Sequence, residues 1–253
     1  MSLFLKTIWS DITLVFVLSY RTLEKLLDTG EYKKLLFLLV GLIIAWHVYT
    51  PIHELLHVAG CLTTGGTVEE LALKPQYGGT ILQEFFPFIV PDSDYAGQLT
   101  GFTTPNKWAY AVVDFAPFVL SLFGGLTMAV CYEKRWTWLF GVATILSFVP
   151  IVSLPGDFFE AASLATSEWL GMISENAGYR LLISDDVFKL IPTLIENQQM
   201  NITVSFFILV TVLLAILFIL VLFALQGRIV NWVYGSDFCK QIMKKTSSSQ
   251  NRL

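Results

Sequence analysis

Two histidines four residues apart, with a glutamate directly after the first, lie in "TPIHELLHVAG", residues 50–60. At that spacing on an α-helix, His53 and His57 are separated by about 40° around the axis and face the same way. Two imidazoles so placed can ligate one Zn²⁺, and Glu54 is positioned to act as general base on the water such an ion holds. The chain has only three histidines, and two of them fall in this pattern. The third, His47, points about 240° away around the same helix and reads as a helix-packing residue.

A catalytic zinc commonly takes three protein ligands and leaves a fourth position for water. With no further histidine to serve, the third ligand is expected to be a carboxylate, and three carboxylates compete. Asp157 leads, in "VPIVSLPGDFFEAASL", directly after Pro155 and Gly156. Its alternative role there is a helix N-cap. Glu160 stands one turn further on and faces the same way. Asp114, in "AVVDFAPF", is the third.

The elements that must position these groups are long and apolar. Of 253 residues, 55% are hydrophobic and 14% charged. The mean hydropathy is +0.64. That profile belongs to helical membrane proteins. A net charge of -4 argues against a nucleic-acid partner. Cys61, Cys131 and Cys239 are scattered, so neither a disulfide framework nor a thiolate metal site is expected. Crossing the hydrocarbon takes about 20 helical residues, and residues 35–64, 108–131, 136–154 and 204–225 meet or approach that length. Residues 3–28 mix charges with apolar residues at helical spacing and read as a membrane-surface helix rather than a cleavable signal.

The expected fold is therefore an all-α polytopic membrane protein with about four transmembrane helices. Its expected parts are the surface helix (1–34), a membrane core holding the metal residues (35–165), an extracytoplasmic loop (166–202), a last transmembrane helix (203–225) and a cytoplasmic tail (226–253). All but four of the sixteen Lys and Arg fall before the first span, in the second-to-third link or in the tail. By the positive-inside rule both termini are then cytoplasmic. Eighteen helical residues from Leu35 to His53 rise roughly 27 Å, which sets the metal residues toward the outer leaflet.

The link at residues 65–107 carries Gly65-Gly66 and Gly78-Gly79 around a segment with partly alternating apolar residues, Val68, Leu71 and Leu73. It reads as a strand or re-entrant β-hairpin beside the site. An exposed strand edge there could hold an unwound peptide by strand addition, with Val68, Leu71 and Leu73 in contact with it.

With these motifs in place, the chain resembles the site-2 proteases, zinc metalloproteases that cut substrates within the membrane. The family's HExxH corresponds to His53-Glu54-Leu55-Leu56-His57. Its proline-containing run ending in Leu-Asp-Gly, whose aspartate completes the zinc site, corresponds to "VPIVSLPGDFFE", although the order here is Leu-Pro-Gly-Asp. The family's Ala-Gly-Pro element followed by Asn is represented by "DFAPFVLS", which keeps Ala116 and Pro117 and lacks the glycine and the asparagine; Asp114 could substitute as the polar group. The resemblance covers roughly residues 40–165. It implies a zinc endopeptidase with one Zn²⁺ per chain, Glu54 as general base, and membrane-anchored protein substrates. Two other expectations stand beside it. One is a membrane zinc hydrolase acting on exposed peptides or lipid-linked groups at the outer interface; the other is a non-catalytic membrane scaffold.

Overall fold

In hydrocarbon, backbone N–H and C=O groups have no water to bond, so a spanning segment must satisfy them internally as a helix. The computed structural model describes residues 3–173 and 186–249. It is an all-α polytopic fold carrying one small sheet. In chain order the elements are α1 (Leu3–Asp28), α2 (Tyr32–Thr63), β1 (Thr67–Leu73), α3 (Gly79–Gln83), β2 (Ile89–Val90), β3 (Gly97–Thr103) and α4 (Lys107–Phe115). Then come α5 (Val119–Leu122), α6 (Gly124–Lys134), α7 (Thr137–Val152), α8 (Phe159–Ile173), α9 (Val187–Glu196), α10 (Ile202–Tyr234) and α11 (Ser236–Ser249).

Among the described residues, four helical runs are long and apolar enough to cross a membrane: Tyr32–Thr63, Lys107–Lys134, Thr137–Trp169 and Ile202–Tyr234. The chain is an integral membrane protein on that criterion. Two of these runs are interrupted where continuous helices were expected. The second breaks into α4, a 3₁₀ turn at Ala116–Phe118, α5 and α6; Pro117 lacks the N–H that an unbroken helix needs there. The third does not end at Leu154. It passes through a π turn at Leu154–Phe158, where Gly156 adopts non-helical φ −100°, ψ −110°, and resumes as α8. Pro155-Gly156 thus interrupts the helix rather than terminating it.

Two further boundaries differ. The last span runs on to Tyr234, and half of the expected tail folds as α11. The expected loop at 166–202 contains the end of α8 and all of α9. Its residues 174–185, with Glu175, Arg180 and Asp185, lie outside the described residues.

The chain forms two compact units. The first comprises Met1–Tyr49, Phe118–Val149 and Leu220–Leu253; the second comprises Thr50–Pro117 and Pro150–Ile219. In the first unit α1 occupies the expected residues, and its Leu14, Val15 and Leu18 are fully buried where it packs against α6 and α11. Asp11 on α1 is held by the Arg228 guanidinium at 3.0 Å and by the Asn231 amide. Gln226 donates to the Ser147 carbonyl at 3.2 Å.

The second unit contains the sheet, ordered β2-β1-β3. β1 pairs antiparallel with β3, from Thr67↔Thr103 to Leu73↔Gly97, with irregular steps around Glu69 and Thr100. It pairs parallel with β2 at Leu71 and Ala72. A parallel neighbour requires a crossover, supplied here by the turn at Pro75–Tyr77 and α3. The link is therefore a three-stranded sheet with β1 at its centre, not a two-stranded hairpin. Val58 on α2 joins Leu71, Leu73 and Ile89 in one core cluster, and a second cluster unites Phe159, Leu190, Leu194 and Ile208.

Between helices in lipid there is no hydrophobic gain from association, so close packing at small residues carries it. In the first unit α2 and α7 meet backbone to backbone. A Cβ on Gly41 would collide with the Trp138 carbonyl, and one on Gly141 with the Leu38 carbonyl and the Leu42 amide. Gly141→Val should force the two helices apart and destabilise the protein by about 1–3 kcal/mol, the usual range for overpacking. Denaturant unfolding in detergent checks this. Gly141→Ala should fall between wild type and Gly141→Val, because a single methyl already comes within 2.3 Å of the Leu38 carbonyl oxygen.

Candidate metal centre

α2 carries His53 and His57 in its C-terminal third, and both imidazoles are buried. Their Nε2 atoms stand 3.1 Å apart. Asp157 reaches them from the π turn: its Oδ2 lies 3.1 Å from His53 Nε2 and its Oδ1 3.6 Å from His57 Nε2. Each of the three residues offers one ligand atom, all within 4.8 Å of one another. Ligands bound tetrahedrally at 2.0–2.1 Å are separated by about 3.3 Å. The two Nε2 atoms and the two carboxylate oxygens that face them stand at 3.1–3.6 Å, near that value, so the three residues could hold a metal ion.

The orientation of His57 is fixed from outside the triangle. Its Nδ1 lies 2.8 Å from the Val113 carbonyl. A carbonyl only accepts, so Nδ1 carries the proton and donates, and the Nε2 lone pair is directed into the triangle. Val113 belongs to α4, and α4 approaches α2 closely because residue 60 is glycine. A Cβ there would stand 2.8 Å from Ala116 Cβ and 3.1 Å from both the Val113 Cα and the Val112 carbonyl oxygen.

Glu54 is buried beside the histidines. The first residue of β3 covers it: a Cβ on Gly97 would fall 2.5 Å from Glu54 Cγ and 2.9 Å from its Cδ. The sheet is thus built directly against the group expected to act as base.

Of the three competing carboxylates, the structure brings Asp157 to the histidines. Asp114 and Glu160 fall outside the ligand triangle. Asp114 is buried on α4, and its Oδ2 has no hydrogen-bond partner among the described residues. It lies near enough to Glu160 and Asp157 for their charges to interact. Glu160 accepts a hydrogen bond from the Tyr110 hydroxyl. His47 bonds back to the Ile43 carbonyl at 2.9 Å and is not part of the triangle.

The strand residues need correction. Leu71 and Leu73 are completely buried in the core between α2 and the sheet, so they pack the unit instead of meeting a ligand. Val68 is partly buried against the same core. The cause is the packing of that face of β1 against α2; β1 is also flanked by β3 and β2, so the sheet's edges belong to those two strands.

Three features of the site were not anticipated: the Val113 carbonyl, Gly60 and Gly97. Gly60 carried a weak signal, as a glycine three residues after His57 in a helix. The carbonyl carried none, since every residue has one.

Gly60→Val should displace α4 and release His57 from its hydrogen bond. Affinity for a divalent ion should then fall about 10–100-fold, the usual cost of losing an outer-shell partner. Competition against a chelating dye measures this, and unchanged affinity would mean that the Val113 contact does not tune the site. Comparison of the chain with family models, with curated proteins and with solved structures finds no match.

Proposed function

We propose that the protein is an intramembrane zinc endopeptidase that hydrolyses peptide bonds of membrane-anchored substrates. The observation that carries the reading is the convergence of two imidazole nitrogens and a carboxylate next to a buried glutamate. It occurs on helical runs long and apolar enough to cross a membrane. A scaffold would have no use for such a cluster, and ionisable groups at membrane depth are expensive to keep.

His53, His57 and Asp157 would hold the ion, and two nitrogens with one oxygen suit zinc. Bound there, zinc supplies a Lewis acid that makes water nucleophilic near neutral pH and polarises a carbonyl oxygen. Glu54 takes the proton from the water that attacks the scissile carbonyl, and passes it to the leaving amine as the C–N bond breaks. Val113 keeps His57 in the tautomer that can ligate. Both termini are assigned to the cytoplasmic side on the positive-inside rule, with the site toward the opposite leaflet.

A helical substrate must unwind before its amide can be attacked. β3 offers it a place. As an edge strand, with Gly97 against Glu54, it can pair an extended peptide along its outer side.

Two tests follow from this reading. Glu54→Gln should keep one zinc per chain by mass spectrometry and lose peptide cleavage, whereas His57→Ala and Asp157→Ala should lose both. Normal cleavage by Glu54→Gln would end the mechanism. A soluble peptide cut as fast as the membrane-anchored substrate would instead indicate a hydrolase working at the interface.

The second test concerns the edge. Thr100 stands opposite no residue of β1, at the irregular step between Leu99 and Gly101. Thr100→Pro therefore removes an N–H at a position with no partner in the β1 register, together with the bond from the Thr100 hydroxyl to Glu70 at 2.9 Å, which Thr100→Ala removes alone as the control. Cleavage should fall about tenfold, roughly the worth of one lost hydrogen bond at 1–1.5 kcal/mol, with zinc content unchanged. Full activity would remove strand addition on β3 from the mechanism.

A further inference from the structure

Within the first unit, the end of α1, the start of α2, the end of α6 and the start of α7 border a small open recess of about 40 Å³. Three of the candidate spans begin or end here, at Tyr32, Lys134 and Thr137. The recess therefore opens at the level where helices leave hydrocarbon for headgroups. Lys25, Lys34 and Arg135 line it against a single carboxylate, Glu31. Thr22 and Thr137 add hydroxyls, and the buried Leu26, Cys131 and Phe140 form its floor. Lys34 donates to Glu31 Oε1 at 2.7 Å. That bond, reinforced by the charges of Lys34, Arg135 and Lys25, holds the Glu31 carboxyl below its usual range. One acid thus answers three cations, and the recess keeps an excess of positive charge.

A second, larger hollow of about 500 Å³ adjoins it, sharing Lys34, Arg135 and Thr137. Its walls are apolar: Phe37, Trp136, Trp138 and Leu139. Both tryptophans are about half exposed, at 51% and 49%. Exposed tryptophans at helix ends are typical of the membrane interface.

Arg135 joins the two hollows, and its backbone is unusual. It caps α6 in the left-handed conformation, φ 59°, ψ 34°, where its N–H bonds back to the Cys131 carbonyl. Glycine takes that position in most helix caps, because any other residue bears a steric cost. An arginine retained there points to a use for its side chain.

The geometry points to a binding site for an anionic phospholipid, with the phosphate among Lys25, Lys34 and Arg135 and an acyl chain along Phe37, Trp136 and Trp138. The chemistry shared with free phosphate is the anion; the apolar hollow beside it is what selects a lipid. Basic pockets at helix ends near the membrane surface bind such headgroups.

The test uses the full-length protein in phosphatidylcholine nanodiscs containing brominated phosphatidylglycerol or brominated phosphatidylcholine. Bromine quenches nearby tryptophans, and Trp136→Phe with Trp138→Phe identifies the contribution from this site. Arg135→Gly is a variant the backbone accommodates without strain, so a lost signal there does not reflect misfolding. Wild type should prefer phosphatidylglycerol over phosphatidylcholine, and the preference should fall about fivefold for each cation removed in Arg135→Gly and Lys34→Gln. Equal quenching by the two lipids in wild type, or a preference that survives the double variant, would overturn the assignment. So would loss of the preference on adding inorganic phosphate but not chloride at equal ionic strength, which would mark a soluble-anion site.

Discussion

Two imidazoles and a glutamate buried on an apolar helix, faced by a partly buried aspartate, are costly to keep unless their charges and lone pairs are offset, and that requirement organises the second unit. His57 turns its Nδ1 proton to the Val113 carbonyl, and Asp157 faces both histidines. Glu54 lies beneath Gly97. An ion at the triangle would complete the set, since converging lone pairs and a carboxylate are what a cation offsets. The glycines at 60 and 97 belong to the same requirement. Each removes a side chain where α4 or β3 must come against α2.

Interrupted helices deliver the groups. An unbroken third span would present Asp157 as one more residue on a cylinder, with its backbone committed to the helix. The π turn at Leu154–Phe158 turns the carboxylate toward α2 and lets the chain resume as α8. Breaks of this kind are tolerated at membrane depth where protein surrounds them or a cavity receives them. The second span is interrupted as well, at Ala116–Phe118, directly after the segment that carries Val113 and Asp114. Proline serves both breaks by withholding an N–H.

The first unit answers a different problem. Its helices have little to gain from burying apolar surface in lipid, so they rely on glycine contacts between α2 and α7 and on a few polar bonds that satisfy buried groups. Asp11 with Arg228 and Asn231, and Gln226 with the Ser147 carbonyl, are such bonds. At one end of this unit, basic residues and tryptophans cluster around Arg135, where a left-handed helix cap keeps a long cationic side chain in place of glycine.

Much of this was legible in the chain because helical periodicity is local. His53 and His57 had to share a face of one helix, four long apolar runs had to be helices, and glutamate beside histidine had to sit at the same site. Spacing along a backbone of known pitch settles such matters without reference to the rest of the molecule. Choosing among Asp157, Glu160 and Asp114 was not local, since each stood on a plausible helix end and only packing determined which met the histidines. The same holds for the sheet. Alternating Val68, Leu71 and Leu73 revealed a strand, but whether that strand lay at an edge or at the centre depended on β2 and β3, which come later in the chain. The Val113 carbonyl carried no signal at all. Residue types and their intervals determined what chemistry the chain could support; tertiary structure decided which atoms come together, because partners distant in sequence are selected by close packing rather than by periodicity.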